Sequence, residues 1–257
     1  MSMIRAVLFD VGGTLHEVHR EPELEIAFCS ELLEKLSSSG ISLSVTPQDL
    51  LPLLHQNAEN YKHWSEESRV ELPASRIWSE YYLRQFHIGE DRLAPIAEEL
   101  SVWYDSHRVR NVPRPHMQET IFRLRDMGLV QGIISNMISR TYVPGLMEQY
   151  GISECLSCVI VSASAGIRKP DPVIFQMAAG ACGVPCGEMA YVGDTLSRDV
   201  LGCRNAGVAL SIQIQNPDMA FRDVAFVNTG LAPDVRISDL AEIPDIVRAY
   251  NARASAL

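Results

Sequence analysis

The stretch AVLFDVGGTLHE, residues 6–17, starts with an apolar run, reaches an aspartate and then turns on two glycines. A short, partly β-branched apolar run predicts a strand that is buried on both faces, as in a parallel sheet. This strand would deliver the Asp10 carboxylate to a glycine turn at its carboxyl end. The residue two positions beyond Asp10 is Gly12, although a second acid there would make the most chemical sense.

Strand-like and helix-like patterns alternate in the second half of the chain. The predicted strands are LVQGIIS (129–135), CVIVSA (158–163), MAYVGD (189–194) and VALSIQI (208–214). The predicted helices before them are QETIFRLRDMG (118–128), PGLMEQYG (144–151), PVIFQMAAGACG (172–183) and RDVLGCRNAG (198–207). This alternation predicts right-handed crossovers and a Rossmann-like, doubly wound parallel sheet of the α/β class.

Between about Glu21 and Arg110 the periodicity is helical, with few strand-like runs. In the first helix the apolar positions fall at steps of three and four: Leu24, Ala27, Phe28, Leu32 and Leu36. Thr46 before Pro47 is a candidate N-cap for the second helix. Several consecutive helices without a strand predict a small bundle inserted into the core. We therefore expect an α/β core of residues 1–15 and 111–257, and a helical domain of residues 16–110.

Polar side chains follow the predicted strands. Asp10 follows the first strand, Ser135 and Asn136 follow the second, and Asp194 follows the fourth, while Lys169 lies in the turn AGIRKPDP. In open α/β sheets, ligands bind beyond the carboxyl ends of the strands. The sequence therefore predicts that these side chains meet at one site.

Composition narrows the possible partners. The net charge is −10 and no basic run is present, which disfavours general nucleic-acid binding, although local cations or a metal could still hold an anionic substrate. No apolar run is long enough to cross a bilayer, and the first residues do not resemble a signal peptide, so we expect a cytoplasmic protein. Cys155 and Cys158 form a lone C-x-x-C, without a second such pair or histidines at ligand spacing, so the six cysteines are expected to be reduced.

Four motifs together resemble the haloacid dehalogenase superfamily of hydrolases. FDVGGTL (9–15), IISN (133–136), RKPDP (168–172) and GDTLSRD (193–199) match its four motifs in order and spacing. The helical domain lies where this family inserts its cap. An all-helical cap in that position resembles the subgroup of dehalogenases, small-phosphate phosphatases and β-phosphoglucomutase.

The resemblance implies an Asp10 nucleophile that attacks phosphorus to form an acyl phosphate, which water then hydrolyses. It implies Mg²⁺ as cofactor, held by Asp10, the carbonyl of Gly12, Asp194 and Asp199. Asp199 would hold either the waters of the metal or Lys169. Lys169 would supply positive charge to Asp10 and to the transferring phosphoryl group.

The same resemblance implies a phosphate-binding set. Ser135 would also act in catalysis, and the full set is Thr14, Ser135, Asn136 and Lys169. The partner would be a small phosphorylated molecule, bound by a monomer or homodimer.

Gly12 departs from the family pattern, which has a second aspartate that protonates the leaving oxygen and later activates water. General acid–base help is worth about 10²- to 10⁴-fold in rate. Three explanations are open: a leaving group that needs no proton, a replacement group, or altered or lost chemistry. His16 and Glu17, just past the motif, are candidate replacements, although exposed linker polarity is the simpler interpretation.

Other functions are also open. Dehalogenation needs no acid, but that branch resembles a metal-free site, whereas this sequence keeps Asp194 and Asp199; hydrolysis of a C–P bond is a further alternative. A catalytically silent module that binds a phosphorylated ligand or partner is the non-enzymatic alternative. Each site residue singly also fits a turn, loop or cap role. The candidate substrate contacts in the cap, more readily explained as core or surface, are His63, Trp64, Trp78, Tyr81, Tyr82 and Arg108.

Overall fold

The computed structural model describes residues 2–226 and 229–256. The predicted core ranges also contain Met1, Val227, Asn228 and Leu257, which lie outside the described residues. The strands of the described chain are β1 (Ala6–Phe9), β2 (His16–His19), β3 (Arg110–Pro113), β4 (Val130–Ser135), β5 (Cys158–Val161), β6 (Met189–Gly193), β7 (Leu210–Ile214) and β8 (Val235–Ile237).

The helices fall into two groups along the chain. Those of the inserted block are α1 (Pro22–Ser38), α2 (Pro47–Ser68), α3 (Ala74–Arg76), α4 (Glu90–Leu93) and α5 (Ala97–His107), with a wide π-type turn at Ile77–Tyr82. Those of the second half are α6 (Met117–Asp126), α7 (Tyr142–Gln149), α8 (Ser162–Ala165), α9 (Pro172–Cys182), α10 (Leu201–Ala206), α11 (Ala220–Asp223) and α12 (Ile243–Ser255). Short 3₁₀ turns and a second π-type turn, Leu196–Val200, complete the described elements.

Six strands form one parallel sheet in the order β5-β4-β1-β6-β7-β8, which confirms the predicted α/β class. β1 lies between β4 and β6, and Phe9 pairs with Ile133 on one side and Val192 on the other. This register brings the residues that follow these three strands to the same edge of the sheet.

Helices cover both faces of the sheet. Successive side chains of β1 point to opposite faces, and each set packs against different helices. Val7 and Phe9 pack in the cluster that contains residues of α6, α7 and α12. Ala6 and Leu8 pack instead in the cluster that contains residues of α9 and α10. A central strand that is buried on both faces explains the continuous apolar run of the opening stretch.

The inserted helices have a hydrophobic cluster of their own, which includes Phe28, Leu32 and Leu36 of α1. The predicted apolar face of α1 is wrong at one position: Ala27 is exposed, and Cys29 is buried in the cluster. Thr46 caps α2 as predicted, since its hydroxyl accepts a hydrogen bond from the Asp49 amide at 3.2 Å.

Two strands that the sequence patterns did not predict, β2 and β3, join the helical block to the core. They form an antiparallel ribbon in which His16 pairs with Pro113 and His19 with Arg110. β2 begins directly after the predicted domain border at residues 15/16, and β3 crosses the predicted border at residues 110/111. β8, also not predicted, is a three-residue strand at the sheet edge. Both elements are too short or too polar for an apolar pattern to indicate them.

None of the helices in the described part of the chain is long and apolar enough to cross a membrane. The six cysteines are free thiols, and Cys158 Sγ lies 3.4 Å from Cys182 Sγ.

Candidate active site

Lys169 and three of its neighbours form a buried polar cluster at the carboxyl edge of the sheet. Lys169 Nζ donates to Asp10 Oδ1 at 2.8 Å, to Asp199 Oδ1 at 2.7 Å and to the Tyr191 hydroxyl at 2.7 Å. Burial lowers the pKa of Lys169, but the carboxylates of Asp10 and Asp199 outweigh this effect and raise that pKa above its usual value. The lysine is therefore a cation fixed beside two carboxylates.

The pKa values of the two carboxylates are shifted in opposite directions. Burial raises the pKa of Asp10 above its usual value, and neighbouring Asp199 adds to this effect, while Lys169 only partly offsets it. For Asp199, Lys169 and Arg198 overcome the effect of burial, and its pKa lies below its usual value. Asp199 Oδ2 also accepts hydrogen bonds from the amide and hydroxyl of Thr195. Asp199 is thus the anion that holds Lys169 in place.

Asp10, Asp194 and Asp199 each offer a carboxylate oxygen, and the three oxygens lie within 4.8 Å of one another. Asp194 Oδ2 accepts a hydrogen bond from Asn216 Nδ2 at 2.8 Å, while Asp194 Oδ1 is buried without a hydrogen-bond partner among the described residues. Burial, with the charges of Asp199 and Asp10 opposing the attraction of Arg198, raises the pKa of Asp194 to about 7. A buried oxygen without a partner, beside two further carboxylates, fits a hard divalent cation such as Mg²⁺.

The two glycines after Asp10 have different steric surroundings. Gly13 has φ +84°, and a Cβ there would lie 2.2 Å from Asp194 Oδ2, so the turn needs glycine at this position. A Cβ on Gly12 would instead lie 3.8 Å from both His16 Nε2 and Val18 Cγ2, which is ordinary contact. Packing around the Cβ position therefore does not explain why residue 12 lacks a side chain.

A cavity of about 1030 Å³ opens between the core and the helical block. Asp10, Gly12, Ser135, Asn136 and Lys169 line it, so the structure brings together most of the residues predicted from the strand ends. The basic residues that line the cavity are Arg20, Lys62, Arg108, Arg110, Arg114, Arg168, Lys169, Arg198 and Arg222. Six acidic residues also line it, namely Asp10, Glu17, Glu21, Glu59, Asp105 and Asp218. The basic side chains exceed the acidic ones, which favours an anionic ligand despite the negative net charge of the chain.

Asn136 and Thr14, two of the predicted phosphate-binding residues, have different environments. Asn136 Oδ1 accepts from the Lys169 amide at 2.9 Å, and Asn136 Nδ2 donates to the Lys169 carbonyl at 3.1 Å, so this side chain fixes the lysine turn. Thr14 is fully buried, and it is not among the described residues that line the cavity. Its hydroxyl lacks a hydrogen-bond partner within the described chain.

His16 and Glu17, the candidate replacements for the missing acid, have different environments. His16 is 3% exposed, lines the cavity, and has its Nδ1 2.9 Å from the Tyr150 hydroxyl. Burial, assisted by the charge of Arg114, lowers the pKa of His16 to about 4. Glu17 has an exposed side chain whose Oε1 lies 3.5 Å from Arg114 NH1.

Three residues of the site were not predicted from the sequence. Tyr191 contacts Lys169, Arg198 NH2 lies 3.9 Å from Asp194 Oδ1, and Asn216 donates to Asp194. Tyr191 looks like a core aromatic within a buried strand. Arg198 lies inside GDTLSRD, and Asn216 follows β7, so closer attention to that motif and to the end of β7 could have found both.

The helical block contacts the lysine turn directly. Glu71 N donates to the Gly166 carbonyl, and Arg168 N donates to the Arg69 carbonyl, both at 3.0 Å. The buried Glu71 carboxylate also accepts hydrogen bonds from Ser162, Arg168 and Tyr61. The segment that carries Lys169 is thus joined to the inserted block by backbone and side-chain hydrogen bonds.

Of the candidate substrate contacts in the inserted block, some line the cavity and others belong to the hydrophobic core or the surface of the block. Tyr82 and Arg108 line the cavity. Trp78 is a core residue whose indole donates to Ser101 Oγ at 3.0 Å. Trp64 stacks on Tyr61, and Tyr81 meets the same ring edge to face. His63 is exposed and is not one of the described residues that line the cavity.

Comparison with known proteins assigns this fold and site to a class. A family model for haloacid dehalogenase-like hydrolases matches residues 4–207. A glyceraldehyde 3-phosphate phosphatase of Methanopyrus kandleri is 26% identical over 246 residues, which cover 96% of this chain and 98% of that protein. A phosphoglycolate phosphatase of Vibrio parahaemolyticus is 32% identical over 208 residues, which cover 80% of this chain and 82% of that protein.

The fold is also similar to a solved structure. The crystal structure of a HAD phosphatase from Thermococcus onnurineus superposes with a TM-score of 0.58 at 24% identity, covering 95% of this chain and 98% of that one. The matches place this protein among hydrolases whose fold has an α/β core. More specifically, the chain belongs to the haloacid dehalogenase-like hydrolase family.

Proposed function

We propose that this protein is a Mg²⁺-dependent phosphatase that hydrolyses a small phosphorylated metabolite through an aspartyl phosphate on Asp10. The observation that supports this proposal best is the placement of Lys169 Nζ at 2.8 Å from Asp10 and 2.7 Å from Asp199. Both carboxylates belong to the same cluster as Asp194. A nucleophilic carboxylate, a fixed cation and a divalent-cation site are the groups that phosphoryl transfer requires.

In the first step, an oxygen of Asp10 attacks phosphorus, and the bond between phosphorus and the leaving oxygen breaks. Lys169 holds the Asp10 carboxylate and offers positive charge to the phosphoryl oxygens, while Ser135 donates a hydrogen bond to one of them. In the second step, water attacks phosphorus, the bond to Asp10 breaks, and inorganic phosphate leaves. Asn136 acts indirectly in both steps by holding the backbone of Lys169.

Asp10 and Asp194 are the proposed side-chain ligands of Mg²⁺, with the Gly12 carbonyl as a third ligand. Asp199 is the third carboxylate of the proposed metal site. Because both of its oxygens accept hydrogen bonds, its main contribution is to hold Lys169. Bound Mg²⁺ would neutralise the negative charge of the carboxylates and of the phosphate.

The substrate class follows from the relatives and from the cavity. Two relatives are named for small phosphate esters, a glyceraldehyde 3-phosphate phosphatase and a phosphoglycolate phosphatase. The cavity carries a local excess of basic side chains, which would attract a compact phosphorylated anion. A phosphorylated small molecule is therefore the partner we assign to this site.

The test is turnover of p-nitrophenyl phosphate and acetyl phosphate, with Mg²⁺ and with EDTA. We expect Mg²⁺-dependent hydrolysis that Asp10→Asn abolishes and the matched surface change Asp245→Asn leaves intact. Mass spectrometry of the acid-quenched reaction should find one added phosphoryl group on the peptide that contains Asp10. A modification elsewhere, or full activity of Asp10→Asn, contradicts the mechanism.

Gly12 supports a second candidate function, a silent module that binds a phosphorylated ligand. Absence of turnover together with retained binding of Mg²⁺ or inorganic phosphate would favour this candidate. Chloride release from 2-chloropropionate, assayed with the same preparation, tests dehalogenation; we expect none, because three clustered carboxylates fit a cation better than a metal-free site.

A further inference from the structure

We propose that His16 replaces the acid missing at position 12, by donating a hydrogen bond from Nε2 to the leaving oxygen of the substrate. This inference rests on the proposed phosphatase function. It assigns a catalytic residue to the side of the site that Gly12 leaves without a side chain.

The first support is the position of the imidazole. A Cβ built on Gly12 would lie 3.8 Å from His16 Nε2, so this nitrogen lies next to the space that a side chain at residue 12 would enter. Gly12, His16, Asp10 and Lys169 all line the same cavity. The imidazole and the proposed nucleophile therefore face the same ligand cavity.

The second support is the backbone around His16. Gly12 and His16 form an isolated bridge, and Gly13 N donates to the His16 carbonyl at 2.8 Å. Pairing of β2 with β3 fixes the same residue from the other side, since His16 pairs with Pro113. The position of His16 relative to the nucleophile turn is consequently set by main-chain hydrogen bonds, which favours a defined orientation over an exposed linker.

The third support is the partner of the other ring nitrogen. The Tyr150 hydroxyl lies 2.9 Å from His16 Nδ1, and burial keeps the phenol protonated by raising the pKa of Tyr150 well above its usual value. When the phenol donates to Nδ1, the ring proton of a neutral imidazole is on Nε2, which is the nitrogen near Gly12. Burial beside Arg114 favours the neutral ring.

A neutral imidazole can stabilise charge by hydrogen bonding alone. As Asp10 attacks phosphorus, the electron pair of the breaking bond stays on the leaving oxygen, and the Nε2–H hydrogen bond stabilises that charge. The product alcohol obtains its proton from solvent water. This help matters for an alkoxide leaving group, which is strongly basic, and matters little for p-nitrophenolate.

Glu17 is less suited to this role. Its side chain is 45% exposed, and its oxygens lie within 3.5 Å of Arg114 and His19. A side chain that is exposed and already engaged by these two neighbours is less suited than His16 to contact a leaving oxygen.

The test compares two substrates, p-nitrophenyl phosphate and glycerol 2-phosphate, in variants of residue 16. His16→Asn keeps a polar group near Nδ1 for Tyr150 but removes the donor at Nε2. We expect its kcat on glycerol 2-phosphate to fall about 10- to 100-fold, whereas its kcat on p-nitrophenyl phosphate falls about threefold at most. His16→Gln, whose amide reaches the Nε2 position, should recover most of the loss.

Two further variants separate catalysis from structure. His16→Asn combined with Gly12→Asp should regain activity on glycerol 2-phosphate, because the new carboxylic acid supplies the missing donor. His116→Asn, which changes a histidine that binds Asp239 outside the cavity, should leave the kcat on both substrates unchanged.

Three results would overturn the inference. An equal loss on both substrates would mean that His16 supports the nucleophile or the fold, and unchanged kcat values would mean that it has no role in turnover. Failure of His16→Gln to recover more than His16→Asn would also count against the hydrogen bond. If the proposed phosphatase function itself is wrong, the unmodified protein hydrolyses neither substrate. This result distinguishes that failure from a failure of the His16 inference.

Discussion

Lys169 Nζ lies 2.7 Å from Asp199 Oδ1, and both side chains are only 2% exposed. An ion pair buried this deeply is an uncertain source of stability, because the desolvation of both charges offsets their attraction. Its position is informative instead, because the same ammonium group also binds the proposed nucleophile, Asp10. The pair orients the cation that the reaction needs.

Lys169→Met should nearly abolish turnover of p-nitrophenyl phosphate, with a loss in kcat of about 10³-fold, because the charge on the transferring phosphoryl group loses its fixed cation. Unfolding should also become easier by about 3 to 5 kcal/mol, since Asp10 and Asp199 would be left buried without their partner. Steady-state kinetics and urea unfolding measure the two effects. Lys35→Met, on α1 in the helical block, is the control, and a kcat within tenfold of the unmodified protein would contradict the proposed role.

Gly12→Asp should increase turnover of alkyl phosphates more than turnover of aryl phosphates. The cavity admits a Cβ at this position, with its nearest neighbours at 3.8 Å. We expect a gain of about tenfold on glycerol 2-phosphate, near the lower end for a general acid because His16 already donates a hydrogen bond there. Kinetics on both substrates provide the measurement.

Gly13→Ala is the steric contrast for this experiment. Its Cβ would lie 2.2 Å from Asp194 Oδ2 at a residue with φ +84°, so this variant should lose activity on both substrates. Equal or lower rates of Gly12→Asp on both substrates would refute the hypothesis that the lack of an acid at position 12 limits turnover of alkyl phosphates.

Mg²⁺ alone should raise the melting temperature of the unmodified protein, because the ion binds the folded carboxylate cluster and not the unfolded chain. Asp194→Asn should reduce that rise strongly. The metal-free variant should itself melt at a higher temperature, since one of three adjacent carboxylates is neutral. Thermal unfolding with MgCl₂ or EDTA tests both effects, and Asp245→Asn is the matched control. An undiminished Mg²⁺ effect in Asp194→Asn would exclude this carboxylate as a ligand.

The sheet and most of the site could be predicted because they depend on features that are local in sequence. β1 and β4 are short apolar runs that end in Asp10 and Ser135, and parallel pairing places such ends at one edge. The polar ribbon of β2 and β3 could not be predicted in this way, because its strands pair across more than ninety residues and carry no apolar run.

Side-chain assignments within the site needed the structure. Asn136 directly follows Ser135 at the end of β4, yet its side-chain amide is hydrogen-bonded to the Lys169 backbone. His16 looked like linker polarity because its burial depends on Tyr150, which lies 134 positions away in the chain. No periodicity indicates which of two neighbouring polar residues turns inward when the partner is so distant in sequence.

Asp105, on α5, predicts how stability responds to pH. Burial raises the pKa of Asp105 to about 7, although Arg108 opposes the shift, and none of the residues that the structure describes hydrogen-bonds to its buried Oδ2. The folded protein therefore keeps a proton that the unfolded chain, with a usual value near 3.8, has already released. Between about pH 4 and pH 7, this group makes the free energy of unfolding fall as the pH rises.

Asp105→Asn removes this titration and keeps a polar side chain of nearly the same size at the buried position. The melting temperature of the variant minus that of the unmodified protein should therefore be more positive at pH 8 than at pH 5. Taking the difference cancels titrations that the two proteins share, and Asp126→Asn, an exposed change, should give a difference that is flat with pH. A difference for Asp105→Asn that is equally flat, or that decreases towards pH 8, would show that Asp105 is ionised in the folded protein across this range.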